Sequence, residues 1–127
     1  MTAAQPIIGI RGAVREDVGL ILAFIRELAE FEKLSHEAVA DEAGLAAQLF
    51  GALPRAEVLI AEVDGAPAGF ALFFHNFSTF LGKPGLYLED LFVRPAFRGH
   101  GIGKALMARL ARHCIEQGYA RFEWAVL

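Results

Sequence analysis

Apolar positions along the chain fall into two rhythms, and the points where one gives way to the other mark its elements. Residues 7–11 form a β-prone run stopped by Gly12. From Asp17 the period lengthens, and Val18, Ile21, Ile25 and Leu28 recur on one helical face as far as Phe31. Residues 33–40 read as a loop. A second, weaker helix follows, with Asp41 as N-cap and Leu45, Leu49 and Phe50 as its apolar side, until Gly51-Ala52-Leu53-Pro54 stops it. Residues 58–63 and 68–77 are strands, joined by a hairpin turn for which Asp64-Gly65 supplies the positive-φ positions. A loop at 82–85 leads into a third long strand, 86–93, closed by Arg94-Pro95. After a Gly-rich loop comes a helix with the inner stripe Ile102, Leu106, Leu110 and Cys114, ended by Gly118. Residues 119–127 are a final strand.

The predicted order is β-α-α-β-β-β-α-β. The closing strand-helix-strand unit makes its two strands parallel neighbours, whereas the hairpins are antiparallel. The expected class is α/β, a mixed and mostly antiparallel twisted sheet flanked by helices. With no repeat or linker, residues 1–127 are expected to form one domain.

Composition narrows the partners. Hydrophobic residues make up 55% of the chain, yet no uncharged run approaches the roughly 20 residues of a membrane span. A net charge of −3 gives no concentrated basic surface for nucleic acid. The single cysteine, Cys114, permits no intrachain disulfide, and the N-terminus lacks the basic and apolar regions of a signal peptide. His36, His75, His100 and His113 have no metal-ligand spacing with Cys114 or with one another. The expectation is a soluble cytoplasmic protein with no metal, membrane or nucleic-acid partner.

Two segments carry chemistry. The first is Arg98-Gly99-His100-Gly101-Ile102-Gly103-Lys104, between a strand and a helix. A helix start presents unpaired N–H groups and partial positive charge, so it binds anions. Gly99, Gly101 and Gly103 let a pyrophosphate approach the backbone, and Arg98 and Lys104 add mobile positive charge. A dinucleotide fingerprint would need glycine at 104 or 106, and a P-loop would need glycine at 98 and Ser or Thr at 105; the chain has Lys104, Leu106, Arg98 and Ala105. The second segment is Glu89-Asp90, inside a strand otherwise built of Leu, Tyr, Phe and Val. Adjacent strand residues point to opposite faces, so at least one carboxylate should meet a covered side or a cleft. Either it pairs with a structural arginine such as Arg11 or Arg121, or it is kept for function; the residues alone leave both readings open.

The pattern Arg98-x-x-Gly101-x-Gly103, following Leu86-Tyr87-Leu88-Glu89-Asp90-Leu91-Phe92-Val93, resembles the GNAT superfamily of N-acetyltransferases, and within it the diamine (spermidine/spermine) branch. Ile10-Arg11-x-Ala13-x-x-x-Asp17 and Glu27-Leu28-Ala29-Glu30-Phe31-Glu32 resemble the start of the same branch. The resemblance implies that residues 98–104 wrap the pyrophosphate of acetyl-CoA. It implies Glu89 as the base that deprotonates the attacking amine, with Asp90 beside the acceptor and Phe31 and Glu32 lining the amine site. It further implies that the strand splays from its neighbour, freeing the amides of Leu91, Phe92 and Val93 to hold the pantetheine and polarise the acetyl carbonyl. Homodimers are common in the family, so self-association is expected.

The match breaks in two places. The branch carries an acid and a tryptophan where this chain has Ser78-Thr79-Phe80-Leu81-Gly82, so Phe80 is the candidate ring and the acid is missing, which argues against a long polycation. After the strand matching residues 122–127 the family continues into a Trp-Asn-x-x-Ala/Pro segment, a helix with a Phe-Tyr pair and a last strand, whereas this sequence stops at Leu127, so the expected fold lacks that final helix and strand and the tyrosine acid. The expected function is acetyl transfer from acetyl-CoA to a primary amine of a small molecule, a polyamine or lysine-like amine. The alternatives are a non-catalytic CoA-binding module and an acetyltransferase for protein N-termini or lysines.

Overall fold

In the computed structural model, which describes residues 5–125, these rhythms become β1 (Ile8–Gly12), α1 (Val18–Phe31), α2 (Glu42–Phe50), β2 (Glu57–Val63), β3 (Ala66–Ser78), β4 (Lys83–Val93), α3 (Ile102–Gln117) and β5 (Phe122–Trp124). The strands form one sheet in the order β1-β2-β3-β4-β5. Only the β4–β5 pair is parallel, because α3 carries the chain back across the sheet between them.

The sheet buries both faces. Against one face α3 lays its predicted stripe, Ile102, Leu106, Leu110 and Cys114, on Ala61, Phe73, Leu86 and Leu88. Against the other, Ile21 and Phe24 of α1 and Leu49 of α2 pack on Ile60, Phe70 and Phe92. Phe24 and Phe70 stack face to face, with centroids 5.2 Å apart and planes 5° apart. The buried side of α1 is therefore centred on Phe24, while Ile25 and Leu28 are only partly covered.

Polar contacts fix where these elements meet. The Asp41 carboxylate accepts from the Gly44 N–H at 2.7 Å, capping α2 as expected. Asp64 and Gly65 take φ values of 50° and 83° in the β2–β3 turn. Arg11 of β1 makes a two-pronged bond to Asp17 at 2.8 and 2.9 Å, which holds the Asp17 carboxyl below the usual carboxylate range and anchors the start of α1. Arg94 does the same to Glu27 at 2.9 Å through both prongs, tying the end of β4 to α1.

Two boundaries differ from expectation. Lys83, Pro84 and Gly85 are strand, paired with Ser78, Phe77 and Asn76, and the turn precedes them. Gly85 serves close approach: a Cβ there would lie 2.5 Å from Asn76 Oδ1. The last strand is also shorter than 119–127. The Tyr119 N–H donates to Cys114 O behind the left-handed Gly118, so Tyr119 closes α3, and β5 begins at Phe122. Val126 and Leu127 lie outside the described residues.

Candidate active site

The site begins with a fault in the β3–β4 ladder. Leu72 pairs with Asp90 but Phe73 pairs with Leu88, so Glu89 is an extra residue, a β-bulge. The bulge inverts the side-chain alternation of β4. Before it, Leu86 and Leu88 face α3; after it, Leu91 and Val93 do. Asp90 lies opposite Leu72, whose side chain packs with α1 and α2, and Glu89 keeps the pre-bulge parity of Tyr87. The two neighbouring carboxylates therefore share a face, which corrects the expectation that strict alternation separates them.

The second feature is the neighbouring strand β5, Phe122–Trp124. Its pairing with β4 runs only from Leu86↔Phe122 to Leu88↔Trp124. Past Leu88, that edge of β4 has no strand partner among the described residues, which end at Ala125. The Arg94 N–H donates to Ala68 O on β3, and Val93 O accepts from Arg98 Nε on the other side. Ladder bonds alternate along a strand, so the Leu91 and Val93 N–H groups face the open edge and Phe92 bonds toward β3. Phe92 contributes a buried ring to the α1 side of the core. The expectation of a free Phe92 amide is corrected accordingly.

Between these features lies a cleft of about 230 Å³, lined by Leu28 and Glu32 from α1, Leu88, Glu89, Asp90 and Leu91 from β4, Met107 from α3, and Trp124-Ala125. Among the described residues no arginine or lysine pairs with Glu32, Glu89 or Asp90. The two candidates are committed elsewhere, Arg11 to Asp17 and Glu62 and Arg121 to Glu123. Burial pushes the Asp90 carboxyl up to about 6, and the charges of Glu89 and Glu32 push in the same direction. Glu89 itself is exposed on the bulge. Asp90 has a consequence for folding: between about pH 4 and 6 the folded chain holds a proton that the unfolded chain has already released. Stability from this group thus falls as pH rises through that window. Asp90→Asn should raise the melting temperature at pH 8 and leave it nearly unchanged at pH 4, measured by thermal denaturation at both values.

The Gly-rich loop closes the other end of the open edge. Gly99 and Gly101 have φ values of 86° and 77°, with open space where a Cβ would project. The first intrahelical bond of α3 runs from the Ala105 N–H to Gly101 O, leaving the N–H groups of Ile102, Gly103 and Lys104 without helical partners. The Ile102 side chain is buried in the core, so only its backbone is available, and a Cβ at Gly103 would lie 3.9 Å from a Val93 methyl. Gly99, His100 and Lys104 are exposed. A diphosphate fits this cradle: free amides, no obstructing Cβ, and Lys104 alongside. The Arg98 side chain turns away from the cradle: its Nε donates to Val93 O at 3.0 Å and its guanidinium lies 4.5 Å over the Phe31 ring.

Of the amine-site residues, Glu32 joins Glu89 and Asp90 in the cleft. Phe31 does not line it; it borders an adjoining hollow with Glu27, Glu30, Phe92 and Pro95. Phe80 stands fully exposed on the β3–β4 turn, away from the cleft. Leu28, Leu88, Met107 and Trp124 line the cleft but were not legible as site residues from their types, although the helical spacing from Leu28 to Glu32 carries a trace of it. Among the described residues no group of His, Cys, Asp or Glu is arranged to hold a metal ion, and no helix is long and apolar enough to cross a membrane.

Comparison with known proteins identifies the family. Residues 22–127 match the acetyltransferase (GNAT) family. The thialysine N-epsilon-acetyltransferase of Mus musculus is 40% identical over 126 residues, covering 93% of this chain and 74% of the relative. The L-ornithine N5-acetyltransferase NATA1 of Arabidopsis thaliana is 31% identical over 163 residues, covering 93% of this chain and 72% of that one. The crystal structure of a ribosomal-protein-alanine N-acetyltransferase from Brucella melitensis superposes with a TM-score of 0.79 at 23% identity, over 95% of this chain and 81% of that one, which supports the fold. The chain belongs to the acetyltransferase (GNAT) family, enzymes that transfer the acetyl group of acetyl-CoA to an amine.

Proposed function

We propose that this acetyltransferase acts on the primary amine of a small dication, a lysine-like amine or a short diamine. The observation that carries the reading is the bulge: it gathers Glu89 and Asp90 on one face beside Glu32, with no arginine or lysine among the described residues paired to them. A cleft of about 230 Å³ suits a small acceptor better than a folded polypeptide. The relatives named for thialysine and for L-ornithine support the same class.

An ammonium group has no lone pair, so it must lose a proton before it attacks a thioester. In this reading Glu89, exposed on the bulge, takes that proton directly or through one water. Asp90 and Glu32 hold the second positive charge and so orient the acceptor. The Leu91 and Val93 amides on the open edge of β4 hold the pantetheine arm, and one of them polarises the acetyl carbonyl as negative charge develops on its oxygen. The amides of residues 99–104 and the Lys104 ammonium receive the diphosphate. Acetyl-CoA is the co-substrate, and no step requires a metal.

We also read residues 1–127 as one domain of a cytoplasmic, homodimeric enzyme. The lone cysteine, buried in the core, agrees with a reducing compartment. The acceptor class is tested by ranking kcat/KM over matched amines. A diamine or lysine-like amine should exceed the monoamine of equal length by about 10- to 100-fold, the value of one charge-assisted contact. A peptide N-terminus outperforming both would overturn the assignment.

A further inference from the structure

Arg98 is the residue whose surroundings the functional reading does not absorb. Arg11, Arg94, Arg112 and Arg121 each pair with a carboxylate. Among the described residues no carboxylate pairs with Arg98. Its Nε donates to Val93 O, its guanidinium lies over the Phe31 ring at 4.5 Å, and the Phe92 ring is 5.9 Å away. The guanidinium is therefore held by one carbonyl and two π-faces, with its Nη groups making no hydrogen bond to the described residues.

Both holds concern the donor. Val93 O lies on the open edge of β4, which the functional reading gives to the pantetheine arm. Arg98 is also joined directly to the amides that the same reading gives to the diphosphate. An arginine is suited to bidentate contact with phosphate oxygens, and a dianion arriving next to an unpaired guanidinium competes for it. A stacking interaction over an exposed ring is weak enough to lose that competition.

We propose that Phe31 and Val93 O park Arg98 in a position that the donor must draw it out of, so that Phe31, which lies outside the cradle, sets the affinity for CoA. Phe31 is then a positioning residue, acting on the donor through Arg98. It stands on α1 one residue before the cleft carboxylate Glu32, so movement of Arg98 also removes a support from the wall of the acceptor cleft. Donor binding and the shape of the acceptor site are coupled through this one side chain. The inference rests on the donor reading of the Gly-rich loop.

The sign of the effect separates this role from a merely structural one. If Phe31 only supported the site, any substitution would leave CoA binding unchanged or weaken it. If it parks Arg98, a weaker partner must tighten binding and a stronger one must loosen it. Phe31 is 60% exposed, so both changes are compatible with folding. Titration calorimetry with CoA alone should show Phe31→Leu lowering Kd by about two- to five-fold and Phe31→Trp raising it by a similar factor. In an Arg98→Gln background the two changes should have no effect, because the parked cation is gone. Binding by the parent protein together with unchanged or same-direction shifts in the two variants overturns the inference and leaves the donor reading standing. No CoA binding by the parent protein overturns both.

Discussion

Glu89→Gln is expected to lower the turnover number by about 10²- to 10⁴-fold, the usual contribution of a positioned general base. Glutamine keeps the shape of the side chain and cannot take up a proton. The loss should fall on turnover more than on the Michaelis constant for the amine, because Asp90 and Glu32 still supply the charges that hold the acceptor. It should also shrink with rising pH. An acceptor amine deprotonates itself as the solution approaches its own pKa, so the variant's rate should climb with pH after the parent enzyme has levelled off. Stability should stay within about 0.5 kcal/mol of the parent, since Glu89 is exposed and makes no ion pair with the described residues. The measurement is the initial rate of thiol release between pH 6 and 10, beside a urea titration. Full turnover at every pH would remove Glu89 from the mechanism.

Phe70→Ala should cost about 3–5 kcal/mol of folding stability, a large part of what a domain of this size has to lose. Phe70 is fully buried at the centre of β3, between Ile60 of β2 and Phe92 of β4 in register, and its ring stacks on Phe24 of α1. Truncation removes the aromatic contact and leaves a cavity that three strands and a helix cannot all move to fill. Phe70→Leu keeps most of the volume and should cost clearly less. Urea unfolding would show the alanine midpoint falling with little change in slope. A loss below about 1 kcal/mol would mean that α1 does not depend on this stack to dock on the sheet.

Most of the fold was legible because it is written in periodicity. The stripe Ile102, Leu106, Leu110 and Cys114 can bury one face only as a helix, and Asp64-Gly65 admits few arrangements other than a tight turn. The Gly-rich loop was legible for a similar reason: few structures require glycine at alternate positions ahead of a helix. The paired carboxylates were harder. Their common orientation comes from a one-residue mismatch between two strands, and a rule of strict alternation places them apart. The trace was present in the apolar spacing. Leu86 and Leu88 are two apart, as are Leu91 and Val93, but Leu88 and Leu91 are three apart, and that odd step is the bulge. The posture of Arg98 left no such trace, because its partners Phe31 and Val93 come from different elements and meet only in three dimensions. The same holds for Trp124, which lines the cleft from β5 beside residues of α1, β4 and α3.

In the proposed reading the bulge also explains how one strand can serve both substrates. A regular strand would send Glu89 and Asp90 to opposite faces and would keep bonding its outer neighbour. Here the inserted residue turns both carboxylates toward α1, and in the proposed reading the Leu91 and Val93 amides beyond it serve the donor. On that reading, acceptor and donor chemistry meet within residues 89–93 of β4.

The central claim, acetyl transfer to a small diamine-like acceptor at this edge, is tested most directly by following thiol release from acetyl-CoA while the acetylated product is identified by mass. The prediction is one thiol released for each N-acetyl amine formed, with lysine-like amines and short diamines as the preferred acceptors. Saturable binding of CoA with no thiol released to any amine would contradict it, and would describe a protein that holds the donor without catalysing its reaction.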